Sequence, residues 1–215
     1  MLEKGWIYNM IKEIKTKLSS FEIFTIFRNE ENSFILDSAM DKNKLGRYSF
    51  ISSNPFKVLK YKDSEENPLN FLQEELRNYK VKNDTNLPFI GGAVGYLSYD
   101  LGNYMENLPR SAKDDLSVYD LYFGLYDHVI VVDHLEEKTY IATPDLDMKK
   151  EEEIAIYIEN KIIEVEKNGV DSICYEEKDV KSTKLVSNFT KKGFEDSVEK
   201  VRQYIKSGDI YQANL

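Results

Sequence analysis

The chain has 215 residues and a net charge of −9, an acidic balance that repels phosphate backbones and excludes nucleic acid as an expected partner. Apolar residue types make up 41% of it and 15 residues are tyrosine, enough to bury a sizeable core and to exclude a disordered chain. No run approaches the ~20 apolar residues of a membrane helix, Lys4, Asn9, Lys12 and Glu13 break the first segment where a signal peptide needs continuity, and the single cysteine, Cys174, closes no internal disulfide; the expected setting is the cytoplasm, away from membranes.

In chain order, residues 1–17 mix charges with Trp6, Ile7, Ile11 and Ile14 and read as an edge strand. Ser19 with Glu22 three positions on is a capping box. It predicts a helix over 21–27 with Phe21, Phe24 and Phe27 on one side. Residues 34–36 and 46–52 read as strands around the polar loop 41–44, and 56–61 alternates as another. Asn67 before Pro68 is a helix start with proline at the first helical position, after which Leu69, Leu72 and Leu76 share a face. The glycine-rich aromatic stretch 89–99 reads as a buried strand. Segments 121–127, 129–133 and 139–143 follow closely enough to predict an antiparallel meander, because parallel crossovers need a dozen or more residues. From Met148 the period turns helical, with Ile154, Ile158, Ile162 and Val165 as the stripe and Gly169 as the stop.

The expected class is α+β, mainly antiparallel sheets with helices packed outside. Residues 1–170 form the first domain and the charged stretch 171–188 a linker. Residues 189–215 open a second domain, expected to be cut short at Leu215. There Thr190 caps a helix with Phe194, Val198, Val201 and Ile205 as its stripe, Gly208 follows its end, and Ile210, Gln212 and Leu215 begin a strand.

Few motifs carry chemistry. Gly91–Gly92–Ala93–Val94–Gly95–Tyr96 would cradle phosphate only with a helix opening directly behind it. Strand-like residues follow instead, so the glycines are read as admitting a close neighbour. His128 and His134, six apart on a strand, would lie ~20 Å from each other and share no metal ion. No nucleophile elbow surrounds Ser98. The remaining group is Asp37, Ser38, Arg47, Tyr48 and Ser49. A carboxylate, hydroxyls and a guanidinium beside apolar 34–36 can hold an amino-acid zwitterion, or Asp37 and Arg47 can simply form an ion pair across two strands. The residues alone favour the ion pair.

Four segments together resemble one family: 36–39 (LDSA), 45–56 (LGRYSFISSNPF), 89–109 (FIGGAVGYLSYDLGNYMENLP) and 207–215 (SGDIYQANL). They are similar to component I of anthranilate synthase and of aminodeoxychorismate synthase, in order and over nearly the whole chain. The resemblance implies an α/β sandwich in which an N-terminal region meets a chorismate-binding region. It implies chorismate as substrate, Mg²⁺ as cofactor, ammonia from a glutamine amidotransferase partner and, in anthranilate synthases, a tryptophan feedback site at positions matching Ser38 and 45–49. The family's catalytic lysine and glutamate and its metal ligands match no residue here, so no catalytic or metal-binding residue is assigned and the chain alone is expected to be inactive. Where many anthranilate synthases read Leu-Leu-Glu-Ser, this chain reads Ile35-Leu36-Asp37-Ser38. The shorter carboxylate retracts by roughly 1 Å, which counts against tryptophan feedback. The segment 207–215 is nearer the aminodeoxychorismate branch, leading to 4-aminobenzoate and folate. The alternatives are anthranilate synthase component I, for tryptophan, and a stand-alone amino-acid-binding regulatory module.

Overall fold

The structure, a computed structural model, describes residues 9–38, 40–62, 67–109, 114–144, 146, 150–169, 184 and 186–215. Trp6, Ile7, Cys174 and most of the expected linker lie outside these. The chain divides into two compact units, Met1–Asp171 and Ser172–Leu215.

The first unit runs β1 (Met10–Ile14), α1 (Ser20–Phe27), β2 (Phe34–Leu36), β3 (Tyr48–Ser52), β4 (Lys57–Tyr61), α2 (Pro68–Asn78), β5 (Gly92–Leu97), a 3-10 turn (Tyr99–Tyr104), β6 (Leu121–Tyr126), β7 (Val129–Asp133), β8 (Lys138–Thr143) and α3 (Glu151–Asn168). A five-stranded sheet has the order β1-β8-β7-β3-β2 and a three-stranded sheet the order β4-β6-β5. Every pairing is antiparallel, as the α+β class requires.

Side-chain alternation explains how the larger sheet is covered on both faces. Ile51, Ile130, Val132 and Ile141 point to one face and bury against Ile23 and Phe27 of α1 and Ala155, Ile158 and Ile162 of α3. Val129, Val131 and Ala142 point to the other, where Leu87, Ile90, Phe89, Tyr48 and Phe50 join them. The smaller sheet packs Leu59, Tyr61, Leu121 and Leu125 beneath Leu69, Phe71 and Leu72 of α2.

The helix signals act as expected. Glu22 N–H donates to Ser19 Oγ at 3.3 Å while Ser19 N–H donates to Glu22 Oε2 at 2.7 Å, and Asn67 Oδ1 caps α2 through Leu69 N–H at 2.9 Å. The buried side of α1 is nevertheless Ser20, Ile23 and Phe27, whereas Phe21 is 47% exposed. Of the phenylalanine stripe, Phe27 is buried and Phe24 packs against the core, and only Phe21 turns outward.

Two strand expectations are corrected. The stretch 89–99 is not a buried strand: β5 is an outer strand of its sheet, with Tyr96 43% and Leu97 46% exposed. The meander is broken as well. β6 pairs with β4 and β5, while β7 pairs with β3 and β8. The two residues between them, Asp127 and His128, carry the chain from one sheet to the other. A two-residue gap looks the same in sequence whether it closes a hairpin or turns a corner.

Gly95 carries the close approach expected of it. A Cβ there would stand 1.9 Å from the Tyr122 carbonyl oxygen and 2.6 Å from Phe123 Cα, both backbone atoms that cannot swing aside. Gly95→Ala should therefore cost about 1–3 kcal/mol by pushing β5 off β6. Urea unfolding measures this, and an unchanged midpoint would refute it.

In the second unit α4 (Lys191–Ser207) begins at Thr190, whose Oγ1 accepts Gly193 N–H at 3.1 Å, and ends at Gly208 in the left-handed region with φ 82°. The strand expected from Ile210 is absent: residues 210–215 pair with nothing described, and a lone extended segment leaves its backbone groups without ladder partners.

Candidate functional site

β2 and β3 place the five candidate residues. Their register sets Ile35 opposite Ile51 and Leu36 opposite Phe50, so the chain leaving β2 brings Asp37 beside Ser49 and Ser38 beside Tyr48. Ser38 N–H donates to Ser49 Oγ at 3.1 Å, and Ser38 Oγ donates to the Tyr48 carbonyl at 2.6 Å. Ser49 is fully buried on the α1 side. Its Oγ donates to Asp37 Oδ1 at 2.7 Å and lies 2.7 Å from His134 Nε2. Ser20 Oγ, on the first turn of α1, donates to the same Asp37 oxygen at 2.8 Å. Burial pushes the Asp37 carboxyl up, but the Ser49 and Ser20 hydroxyls, the Ser38 backbone and the His134 ring outweigh it and hold the group below the ordinary carboxylate value.

Arg47 makes no pair with Asp37, contrary to the ion pair that the residues favoured. Its guanidinium grips Asp133, with Nη2 2.8 Å from Oδ2 and Nε 3.1 Å from Oδ1, and lies 4.8 Å from the centre of the Tyr48 ring. Asp133 is the cross-strand partner of Tyr48. Alternation inside a strand would put Arg47 on the face of Ser49, but β3 starts at Tyr48, and a residue at the bend before it is free to turn elsewhere. The structure thus splits the candidates between two hydrogen-bonded clusters. Asp37, Ser38 and Ser49 gather with Ser20 and His134, whereas Arg47 and Tyr48 gather with Asp133. Burial and the Asp133 charge push the Tyr48 phenol up. Burial pushes Asp133 up as well, but the Arg47 hydrogen bonds, the Glu136 and Leu135 N–H groups and the Arg47 charge hold it below its ordinary value.

Ser20, Asp133 and His134 are the members that sequence reasoning missed. Ser20 follows a recognised cap and was passed over. Asp133 and His134 end an apolar strand, where a polar pair signals a buried partner, and the spacing of His134 from His128 speaks only to a shared metal ion. Both histidines flank β7 rather than riding on it. His128 Nδ1 contacts Asp127 Oδ1 at 2.8 Å, and His134 contacts Ser49. Among the described residues no three His, Cys, Asp or Glu side chains converge as a metal site, so the magnesium implied by the resemblance finds no ligand set in them.

A concavity of about 220 Å³ opens elsewhere, lined in part by Phe27, Glu30, Asp127, His128 and Tyr157. Glu30 is its hub. One oxygen accepts Ser53 Oγ–H at 2.6 Å and Asn54 Nδ2–H at 2.8 Å, and the other accepts Tyr157 O–H at 2.7 Å and Lys161 Nζ–H at 3.1 Å. With four donors already on it, this carboxylate is a tie between α1, β3 and α3 rather than an open ligand group.

Comparison with known proteins adds what the described residues lack. A family model described as chorismate binding enzyme matches residues 31–215. The anthranilate synthase component 1 of Acetivibrio thermocellus is 33% identical over 94% of this chain and 45% of its own length. The aminodeoxychorismate synthase component 1 of Bacillus subtilis (strain 168) is 30% identical over 92% of this chain and 44% of its own length. The crystal structure of anthranilate synthase component I from Streptococcus pneumoniae TIGR4 superposes with a TM-score of 0.59 at 22% identity, covering 91% of this chain and 46% of that one, and so shares the fold. The chain spans a little under half the length of the curated relatives it matches.

Proposed function

This chain belongs to the chorismate-binding enzyme family, and from that premise we propose that it is the N-terminal part of component I of a synthase, lyase or transferase in class, that aminates chorismate. The observation that carries the reading is the family match through 31–215, joined to relatives named for both aminodeoxychorismate and anthranilate synthases. The product proposed is aminodeoxychorismate, on the way to 4-aminobenzoate and folate; Asp37 in place of glutamate and the segment 207–215 support it over anthranilate.

In this reading residues 1–170 are the N-terminal region, 171–188 the linker and 189–215 the opening of the chorismate-binding region. The catalytic groups and the ligands for magnesium belong to the length of the relatives that this chain does not match, so the chain alone is inactive. Ammonia comes from a glutamine amidotransferase partner, and the setting is the cytoplasm. Asp37, Ser38 and Ser49, with Arg47 and Tyr48 nearby, form an amino-acid site, tryptophan-like in its residue set and weaker for tryptophan because the Asp37 carboxylate is the shorter one. The support is an ionised carboxylate ordered by two hydroxyls at an exposed strand end.

The test gives the whole protein chorismate, magnesium and ammonia and separates the products. Aminodeoxychorismate from the whole protein and nothing from this chain is the expected result. Anthranilate would shift the product, and turnover by the chain alone would place the active site within it.

A further inference from the structure

We infer that His134 is a positioning residue for the proposed amino-acid site, fixing through Ser49 the direction in which Asp37 offers its carboxylate to a ligand ammonium. The inference rests on the amino-acid reading of that site and adds a residue that none of the sequence signals placed there.

The argument follows the protons. Ser49 Oγ lies 2.7 Å from Asp37 Oδ1, 2.7 Å from His134 Nε2 and 3.1 Å from the Ser38 nitrogen. A hydroxyl has one proton to give and two lone pairs to fill. Ser38 N–H can only donate, so it takes one lone pair. Asp37 is ionised and can only accept, so it takes the proton. What remains for His134 is the second lone pair, and Nε2 must therefore carry a hydrogen and donate. The chain of bonds then runs one way, from His134 Nε2–H to Ser49 Oγ–H to Asp37 Oδ1. Ser49 is fully buried, so solvent does not reach its hydroxyl, and bonds aligned in one direction polarise each other.

The consequence falls on Asp37. Oδ1 is occupied by the Ser49 and Ser20 hydroxyls, which pins the carboxylate plane between α1 and β3. Asp37 itself is exposed at the end of β2, so Oδ2 is the oxygen left to meet an ammonium. Without His134, Ser49 has a spare lone pair, its hydroxyl is held by Asp37 and the Ser38 N–H alone, and the carboxylate is held less firmly in its direction. A donor lost from such a network weakens ammonium binding by roughly fivefold to tenfold. An analogue with no ammonium should not sense the change.

Only two histidines are present, so ring nitrogen NMR of the chain resolves each. The expected spectrum has His134 protonated at Nε2, with a slowly exchanging Nε2–H signal that Ser49→Ala removes. A bare Nε2 in the native chain would mean that Ser49 donates to the ring instead, and would overturn the inference whatever the ligand. Calorimetry of the whole protein with L-tryptophan and with indole-3-propionate, its counterpart without the amine, reads the second half. His134→Ala should weaken tryptophan alone by that factor and His134→Gln, which keeps an N–H donor, should restore part of it. Equal binding by native and His134→Ala proteins, or equal loss for both probes, would reject the positioning role. If native protein binds neither probe while the ring spectrum is as expected, the amino-acid reading of the site fails, and the inferred role of His134 fails with it.

Discussion

Asp133→Ala should destabilise the first unit by about 2–4 kcal/mol, read from the midpoint of urea or thermal unfolding. Asp133 is 3% exposed and performs two tasks with one carboxylate. It holds Arg47 through both oxygens, and its Oδ1 accepts the N–H groups of Leu135 and Glu136 at 3.1 and 3.2 Å, which fixes the turn from β7 to β8. Alanine leaves those turn donors unpaired and a guanidinium without its counterion, and hydrogen bonds to charged groups each contribute about 1.5–3 kcal/mol. Arg47 keeps some contact with water, with 38% of its side chain exposed, so the sum stays well below that of a fully buried pair. Asp133→Asn is the informative companion. It keeps an oxygen for the turn and loses the charge, so its cost should be clearly smaller. Equal costs for the two variants would show that the turn contributes nothing.

Glu30→Ala should cost a similar ~2–4 kcal/mol, because it strips the common acceptor from Ser53, Asn54, Tyr157 and Lys161 at once. The carboxylate is 15% exposed and Lys161 35%, which again keeps the figure moderate. Burial pushes the Glu30 carboxyl up, but its hydroxyl and Lys161 contacts prevail and hold it below the ordinary value of 4.5. A folded-state value below the unfolded one means that the unfolded chain binds the proton more readily. The stabilisation is therefore complete above about pH 4.5 and disappears as pH falls through the lower folded value. Asp133 and Asp37 are shifted the same way. Stability measured against pH should fall on the acid side, and Glu30→Ala should fall less steeply than the native chain. Parallel curves would remove Glu30 from the account.

How much of this was legible beforehand follows the range of each interaction. Caps were legible because they are local. Ser19 and Glu22 are three residues apart, Asn67 and Leu69 two, and Gly208 sits directly behind its helix. The strands were legible as segments through their apolar runs. Their assignment to sheets was not, since β6 and β7 are neighbours in the chain and belong to different sheets. Exposure of β5 was equally hidden, because a stretch such as 89–99 looks alike in the middle of a sheet and at its rim. The candidate site shows the same division. Ser38 and Ser49 meet across a pairing that a short loop foretells. Arg47 reaches Asp133 across 86 residues of sequence, and Ser49 reaches His134 across 85. No local pattern specifies either partner, so the nearer carboxylate, Asp37, attracted the ion-pair reading that the fold then gave to Asp133.

The pairing of β1 with β8 has a consequence for how the protein is made. Met10 lies opposite Thr143, and 133 residues separate them. At ~5–20 residues per second, a ribosome needs on the order of ten seconds to complete that interval. For that time β1 has no sheet neighbour, because its partner β8 is still unmade. The β3 strand waits roughly three-fifths as long for β7. β1 and β3 must therefore persist as an unclosed, partly apolar chain until β7 and β8 emerge, and the closing pairs join segments far apart in the sequence. Folding of this kind is slow for its size, and the nascent chain, rather than the finished five-stranded sheet, is the form most exposed to aggregation and to capture by chaperones.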